Sequence, residues 1–441
     1  MSKRIGALLL AIMMVLGIAA GCASTTATTA APANTAQDSA GTSAAAPAGE
    51  KIKLTYWTPF SGGDGEFMQK MVDAFNNDQT EIQVEMLNVE WAQYYTKLRT
   101  SLVSKTGPDV AISHASKLAE LEPTGMLADV DVLGSEAGID WATYSENVLK
   151  STYMSDKHIA IPLDTHALIM YYNKDYFEKA GMLDASGKVV FEAGPEGFVN
   201  SLKKLKETLP QGVFPFVAST DNVVPFWIWL ALYDQMDGGG QYIVDNKAAF
   251  NNDKAKTAAQ FLVDLQDQGL WPENINDATQ YDLFKTGKAA IHFGGVWSTG
   301  NYEQNQSLNF GAMPLPAIFD KAATWGDSHT LVVPVQDDKT KQIAAAKFSN
   351  WLGDNGIMWA TAGHIPAKKT VVESDAFKNL KYRPDYAAAV NSVVYYPQSD
   401  KLWPANDIMT QNFSLLMNGS LNVADTLIKA EKEVNDLLVA K

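Results

Sequence analysis

The chain reads as an α/β protein of two lobes, and three observations lead there. Strand-like and helix-like patterns alternate at the interval of a βα unit. A continuous apolar stretch midway along the chain has the character of a strand covered on both faces. The length of 441 residues is enough for about two to three cores.

The elements follow in order. "KIKLTYW" at 51–57 alternates polar and apolar residues and predicts a first strand. A glycine-rich loop, "SGGDG" at 61–65, leads into Phe67, Met68, Met71, Val72 and Phe75 at helical spacing. "EIQVEML" predicts a second strand, Tyr94, Leu98 and Leu102 a helix, and "PDVAIS" a third strand. A second βα region opens after "IAIPLD" with the apolar strand "HALIMYYN", followed by a helical stripe of Val199, Leu202, Leu205 and Leu209. Further helices are expected at 255–268, 344–351 and 423–438. This alternation predicts mostly parallel sheets. There is no internal repeat and no long charge run.

The N-terminus reads as a targeting signal. Lys3 and Arg4 precede an apolar run from Ile5 to Ala20, which ends in Ala19-Ala20-Gly21 before Cys22. The run is shorter than the ~20 residues a membrane-spanning helix needs. "IAAGC" resembles the lipobox of bacterial lipoproteins, in which the cysteine is lipidated after cleavage before it; Ala19 stands where leucine is usual. The alternative is an ordinary secretory cleavage site that happens to be followed by a small residue. Cys22 is the only cysteine, so no internal disulfide can form. Residues 22–50 are dominated by Ala, Thr, Ser, Gly and Pro and read as a tether. Signal (1–21), tether (22–50) and body place the protein outside the cytoplasm and close to a membrane.

Composition excludes several functions. The net charge of −15, without a basic aromatic-interleaved stripe, speaks against nucleic acid as a partner. The six histidines, at 114, 158, 166, 292, 329 and 364, show no metal-binding spacing, and no zinc site is expected. No complete phosphate-binding loop, nucleophile elbow or dinucleotide fingerprint is present, so neither catalytic residues nor a cofactor are expected. "GGDG" suits a strand-to-helix turn as well as an anion cradle. Paired carboxylates for glycoside hydrolysis meet only in space and leave no linear mark.

Aromatic surface is abundant instead: 11 tryptophans and 16 tyrosines. Several fall where strands are expected to end, among them Trp57, Trp227, Trp229, Trp297 and Trp325, and ligands of open α/β sheets bind beyond the carboxyl ends of strands. In "FGGVWSTGN" the neighbours of Trp297 are too small to bury it, which suits an indole face offered to a sugar ring. Trp229 and Trp271 suit a core equally well, and Trp351 and Trp359 fit helix packing. His114, at a strand end, suits either ligand contact or loop capping.

In this order, "LTYWTPFSGGDGEFMQKMVDAFNN", "GPDVAISHASKLAELEPTGMLADV", "IPLDTHALIMYYNKDYFEKAGM", "FKTGKAAIHFGGVWSTGNY", "MPLP" and "GHIPAKK" resemble the extracellular solute-binding proteins that serve carbohydrate ABC transporters, of the maltose-binding type. The resemblance covers 51–441. It implies a two-lobed periplasmic-binding-protein-like fold of type II. One lobe would comprise 51–161 and 317–364, the other 162–316 and 365–441, with crossings near 160–164, 313–316 and 363–367.

The same resemblance implies ligand contacts at Trp57, Phe60 and Asp64 in the loop after the first strand, at His114, and at Asp164 and His166 entering the second lobe. Trp297 would be an aromatic platform, and Trp227, Asp327, His329, His364 and Trp403 would line the cleft. It further implies a monomer that closes over an oligosaccharide and delivers it to permease subunits, anchored on the outer face of the cell membrane through lipid on Cys22. Two rival readings stand beside it. One is a receptor for a peptide or polyamine, using Asp64, Asp164 and Asp327; the other is a lipoprotein glycosidase.

Overall fold

The computed structural model describes residues 50–60 and 63–440. The signal, the tether and Cys22 lie outside the described residues, apart from Glu50.

Among the described residues, twelve strands form the two main sheets. In chain order they are β1 (Ile52–Thr58), β2 (Ile82–Asn88), β3 (Val110–His114), β4 (Ile161–Pro162), β5 (Asp164–Asn173) and β6 (Phe214–Val217). These are followed by β7 (Ala289–Gly295), β8 (Phe310–Pro314), β9 (Thr324–Asp327), β10 (His329–Val332), β11 (Ile365–Pro366) and β12 (Val393–Val394). The smaller sheet has the order β2-β1-β3-β10-β4; the larger runs β12-β9-β5-β7-β6, with β8 and β11 also paired to β5.

Periodicity explains the elements. Along β1, Leu54, Tyr56 and Thr58 are buried on one face, as alternation requires. The helix Gly63–Asp78 turns Met68, Met71, Val72 and Phe75 inward. All ten residues of β5 are buried, the pattern of a strand covered on both sides. Asn252, Asp338 and Asn422 cap the helices Asp253–Asp267, Lys339–Asp354 and Val423–Val439 by accepting from first-turn N–H groups, each worth about 1 kcal/mol. Each sheet has its own core: Tyr56, Met71, Phe348 and Leu352 in the smaller, Phe198, Leu202, Trp229 and Phe413 in the larger. The carboxy-terminal helices Leu402–Met417 and Val423–Val439 pack into the larger core.

Three expectations are corrected. The sheets are not mostly parallel: β1 is parallel to β2 and β3, but β10 is antiparallel to β3 and β4. In the larger sheet β5 is antiparallel to β7, β8, β9 and β11, and only β6–β7 and β9–β12 are parallel. Strand–helix alternation counts units but does not report the direction in which a strand enters from the other sheet. Next, the "SGGDG" loop is shorter than expected, because Gly63 starts a helix and Asp64 lies in its first turn. Finally, Trp227 and Trp229 sit on the helix Val224–Asp234, not at a strand end. That segment is apolar all round, and a short continuous apolar run does not distinguish a buried strand from a buried helix.

The chain passes between sheets at Leu163, between β4 and β5, and at Ser328, between β9 and β10. Thr324–Asp327 therefore belongs to the larger sheet, whereas the sequence reading returned the chain to the first lobe from residue 317. These one-residue passages bring Asp164, Asp327 and His329 beside His114 at the carboxyl end of β3. The candidate site lies there, at the point where the topology switches.

Candidate functional site

The floor of the site is built around Asp164, the first residue of β5, whose side chain is fully buried. One oxygen, Oδ1, accepts from the His329 backbone N–H at 2.9 Å and faces His166 Nδ1 at 3.2 Å. The other, Oδ2, accepts from Trp359 Nε1 at 2.6 Å and meets His329 Nδ1 at 2.7 Å. Burial works against the charge on Asp164, but the imidazoles of His329 and His364 and these donors outweigh it and hold its carboxyl well below the usual range. An ionised carboxylate can only accept, so His329 carries its proton on Nδ1 and presents Nε2 as an acceptor. Burial, against the pull of Asp164 and together with neighbouring His166, lowers the His329 pKa to about 4.

His364 stands at the edge of this floor. Its Nε2 is 3.2 Å from Asp64 Oδ2, and its ring stacks on Trp359 at 4.5 Å with 6° between planes. Burial alone would lower its pKa, but Asp64 and Asp164 together raise it. Gly363 before it has φ +128°, and a Cβ there would collide with the Val296 carbonyl. Only glycine allows this close approach. His114 bonds Tyr95 OH through Nδ1 at 2.6 Å and lies edge-on to His329 at 4.7 Å. Burial, then the imidazoles of His329 and His166, push its pKa well down. Asp327 accepts from the backbone N–H groups of Ser116 (3.2 Å) and Ser328 (2.8 Å) and from the Ser116 hydroxyl. Burial outweighs His166 and these donors and raises its pKa.

The walls are aromatic. Trp227 and Trp325 stack face to face at 3.8 Å and 13°. Trp297 stands edge-on to both, at 74° and 86°, with Nε1 3.3 Å from Tyr281 OH. Its ring lies across Gly295, where any Cβ would overlap the indole carbons. The glycine thus does more than leave the ring uncovered: it makes room for it. On the opposite side Trp91, Tyr95 and Trp403 form a second group with centroids 5.8–6.1 Å apart. Trp403 Nε1 donates to Ser116 Oγ at 3.1 Å, and Lys117 Nζ lies 4.5 Å from its ring. The tryptophans of both groups and the floor enclose a cavity of about 450 Å³, within the usual size of a small-molecule site, with Tyr95 behind its surface.

Asp64, His114, His166, Trp227, Trp297, Asp327, His329, His364 and Trp403 all line this cavity. Three expected contacts do not. Asp164 lies one layer beneath, its oxygens taken up by the floor. Phe60 is also behind the surface, edge-on to His329 at 4.9 Å and against Trp359 at 5.1 Å. Trp57 points away from the face of β1 that carries Tyr56 and Thr58, beneath Lys97 Nζ at 4.7 Å. A register error of one residue in a strand reverses the face. Trp91, Trp325, Tyr396, Asn406, Asp407 and Thr410 line the cavity but were not among the expected contacts. The strand-end aromatic pattern had marked Trp325. Asn406 and Thr410 are one helical turn apart on Leu402–Met417, a spacing that marks a helix face but not what the face meets.

The histidines show no metal-binding spacing along the chain, yet three of them meet in space. Asp164, His166, His329 and His364 each bring one ligand-type atom within 4.8 Å of the others. Linear spacing could not reveal this, since the four come from three distant segments.

Two α/β sheets, a cavity at their junction, indole walls and a buried polar floor together define a two-lobed ligand-binding protein. The chain belongs to the family described as bacterial extracellular solute-binding proteins, whose pattern it matches over residues 70–384. The family works outside the cytoplasm. Among relatives, the maltodextrin-binding protein MdxE of Bacillus subtilis is 23% identical over 265 residues, 57% of this chain and 58% of that one. The chain thus spans well under two thirds of that relative. A cyclic α-maltosyl-1,6-maltose binding protein from Arthrobacter globiformis superposes with a TM-score of 0.72 at 22% identity, covering 88% of this chain and 99% of that chain. UgpB of Mycobacterium tuberculosis, solved with glycerophosphocholine, gives 0.75 at 17% identity over 88% and 99%. The shared fold accordingly serves more than one ligand class.

Proposed function

We propose that this chain is the substrate-binding component of an ABC importer and captures an oligosaccharide in the cavity between its sheets. The observation that carries the reading is the aromatic wall: Trp297 set at right angles to the stacked Trp227–Trp325 pair, above imidazole and carboxylate groups. Indole faces suit the C–H faces of sugar rings, and the polar floor suits hydroxyls. The names of MdxE and of the Arthrobacter protein support the same ligand class.

No covalent chemistry is part of this role. The most deeply buried carboxylate, Asp164, already accepts from several N–H donors and is poorly placed to act as an acid or base. The ligand bridges the two sheets and shifts an open–closed equilibrium about the passages at Leu163 and Ser328. Acting as a monomer held at the outer face of the membrane by lipid on Cys22, the closed form docks on the permease.

One feature favours a second reading. Asp64, Asp327 and Asp407 line the same cavity as the indoles, a combination that suits an organic cation. Tryptophan fluorescence titrated with a panel of oligosaccharides, polyamines and quaternary ammonium compounds separates the two. Saturation by one sugar class, with the sugar recovered intact after long incubation, is the expected result. Saturation by amines alone favours the cation reading, and consumption of the sugar favours a hydrolase. Mass spectrometry of the protein from its native membrane checks the acyl chains on Cys22.

A further inference from the structure

The cavity floor holds more ligating atoms than a sugar requires, arranged in a way that sugar binding does not explain. The Nδ1 atoms of three imidazoles converge on one carboxylate: His329 Nδ1 at 2.7 Å and His364 Nδ1 at 3.4 Å from Asp164 Oδ2, and His166 Nδ1 at 3.2 Å from Oδ1. All four residues are at most 7% exposed. His364 Nδ1 is buried and makes no hydrogen bond among the described residues, because its approach to Asp164 lacks hydrogen-bond geometry. A buried ring nitrogen aimed into a ring of donors, with no partner of its own, needs an explanation.

We propose that Asp164, His166, His329 and His364 form a binding site for one divalent transition-metal ion of the zinc class. Three imidazole nitrogens and one carboxylate oxygen are a donor set for Zn²⁺, Co²⁺ or Ni²⁺, and not for Mg²⁺ or Ca²⁺, which take oxygen ligands. The four ligand atoms lie within 4.8 Å of one another. Tetrahedral zinc, with bonds of about 2.0–2.1 Å, needs separations of roughly 3.3 Å, so small ring rotations close the site.

The surroundings are those of a metal centre as well. His364 turns its other nitrogen, Nε2, to Asp64 at 3.2 Å, the carboxylate–histidine pairing that orients a metal-bound imidazole. Trp359 Nε1 and the His329 backbone N–H fix the Asp164 carboxylate. On metal uptake His166 and His329 carry their proton on Nε2, and Nδ1 becomes the ligand. Asp164 and His166 belong to the larger sheet and His329 to the smaller. One ion would therefore join the sheets at the passages between them, whichever solute the cavity holds.

The test uses the full chain stripped with a chelator, then titrated with Zn²⁺ against a chromophoric competitor and with Co²⁺ by visible spectroscopy. The expected result is one equivalent of tight binding, an intense four-coordinate Co²⁺ spectrum, and a raised melting temperature with metal. His364→Gln and His329→Gln should each weaken binding by a hundredfold or more, while His158→Gln, outside the group, leaves it unchanged. X-ray absorption of the Zn²⁺-loaded parent should show mainly imidazole ligation, a readout that does not depend on the variants folding. Absence of stoichiometric binding, an oxygen-only six-coordinate spectrum, or unchanged affinity in folded His364→Gln would overturn the proposal.

Discussion

The two faces of the cavity are built by opposite means. The aromatic wall takes its rings from the Val224–Asp234 helix, β9 and the turn after β7; Trp227 and Trp297 are half-buried and held by ring contacts. The floor is a set of groups almost without solvent exposure, held by hydrogen bonds to one carboxylate. A wall of this kind gives ligand affinity through contact area and tolerates ligands of different length. A floor of this kind fixes orientation, and its bonds also hold the two sheets in register. Loss of a wall ring should therefore be felt mainly in binding, and loss of a floor group mainly in stability.

The strongest challenge to that contrast is Asp164→Ala. It leaves the Trp359 N–H and the His329 N–H without their acceptor and should cost about 3–5 kcal/mol, read from denaturant unfolding of the ligand-free protein. A loss below 1 kcal/mol would mean the floor is not the structural tie described. Next in size is Gly295→Ala, whose Cβ would overlap the Trp297 ring. Overpacking of this kind costs about 1–3 kcal/mol, and displacing the ring should also weaken ligand binding, so both unfolding and titration should register it.

Asp234 sharpens the comparison from outside the cavity. It is buried like Asp164 but has no comparable set of donors among the described residues, where its Oδ2 is without a partner. Burial, only partly offset by Lys321, pushes its carboxyl up to about 8. The folded state therefore binds the extra proton above the unfolded value near 4, and stability falls as pH rises from there through 8. Asp234→Asn should remove that fall: its melting temperature should gain a few degrees on the parent between pH 4 and 8, and the difference should be smallest at the acid end.

Sequence reading succeeded where the physics is local. The alternation of β1, the stripe on Gly63–Asp78 and the continuous burial of β5 are short-range patterns, whereas Trp297, expected from its small neighbours to stay uncovered, is half-buried against the core. It fell short where position depends on topology. Trp57 and Tyr56 are adjacent in the chain and face opposite ways, so placing a strand-end contact required an exact register. Asp164 and Phe60 belong to the neighbourhood of the site but lie beneath its surface, a depth that no linear motif encodes. The convergence of residues 164, 166, 329 and 364 depends on the passages at Leu163 and Ser328 and on the later return of the chain from β10 to β11, just before which His364 lies. The same passages decide strand direction, so the expectation of parallel sheets failed for the same reason.

The most direct test of sugar capture on the aromatic wall is calorimetric titration of the parent and Trp297→Ala with one series of linear oligosaccharides of increasing length. The parent should show one saturable site and Trp297→Ala at least tenfold weaker affinity, about 1.4 kcal/mol or more, with unfolding disturbed less than in Asp164→Ala. Equal affinity in parent and variant, or no heat with any oligosaccharide while amines bind, would contradict sugar capture on the wall.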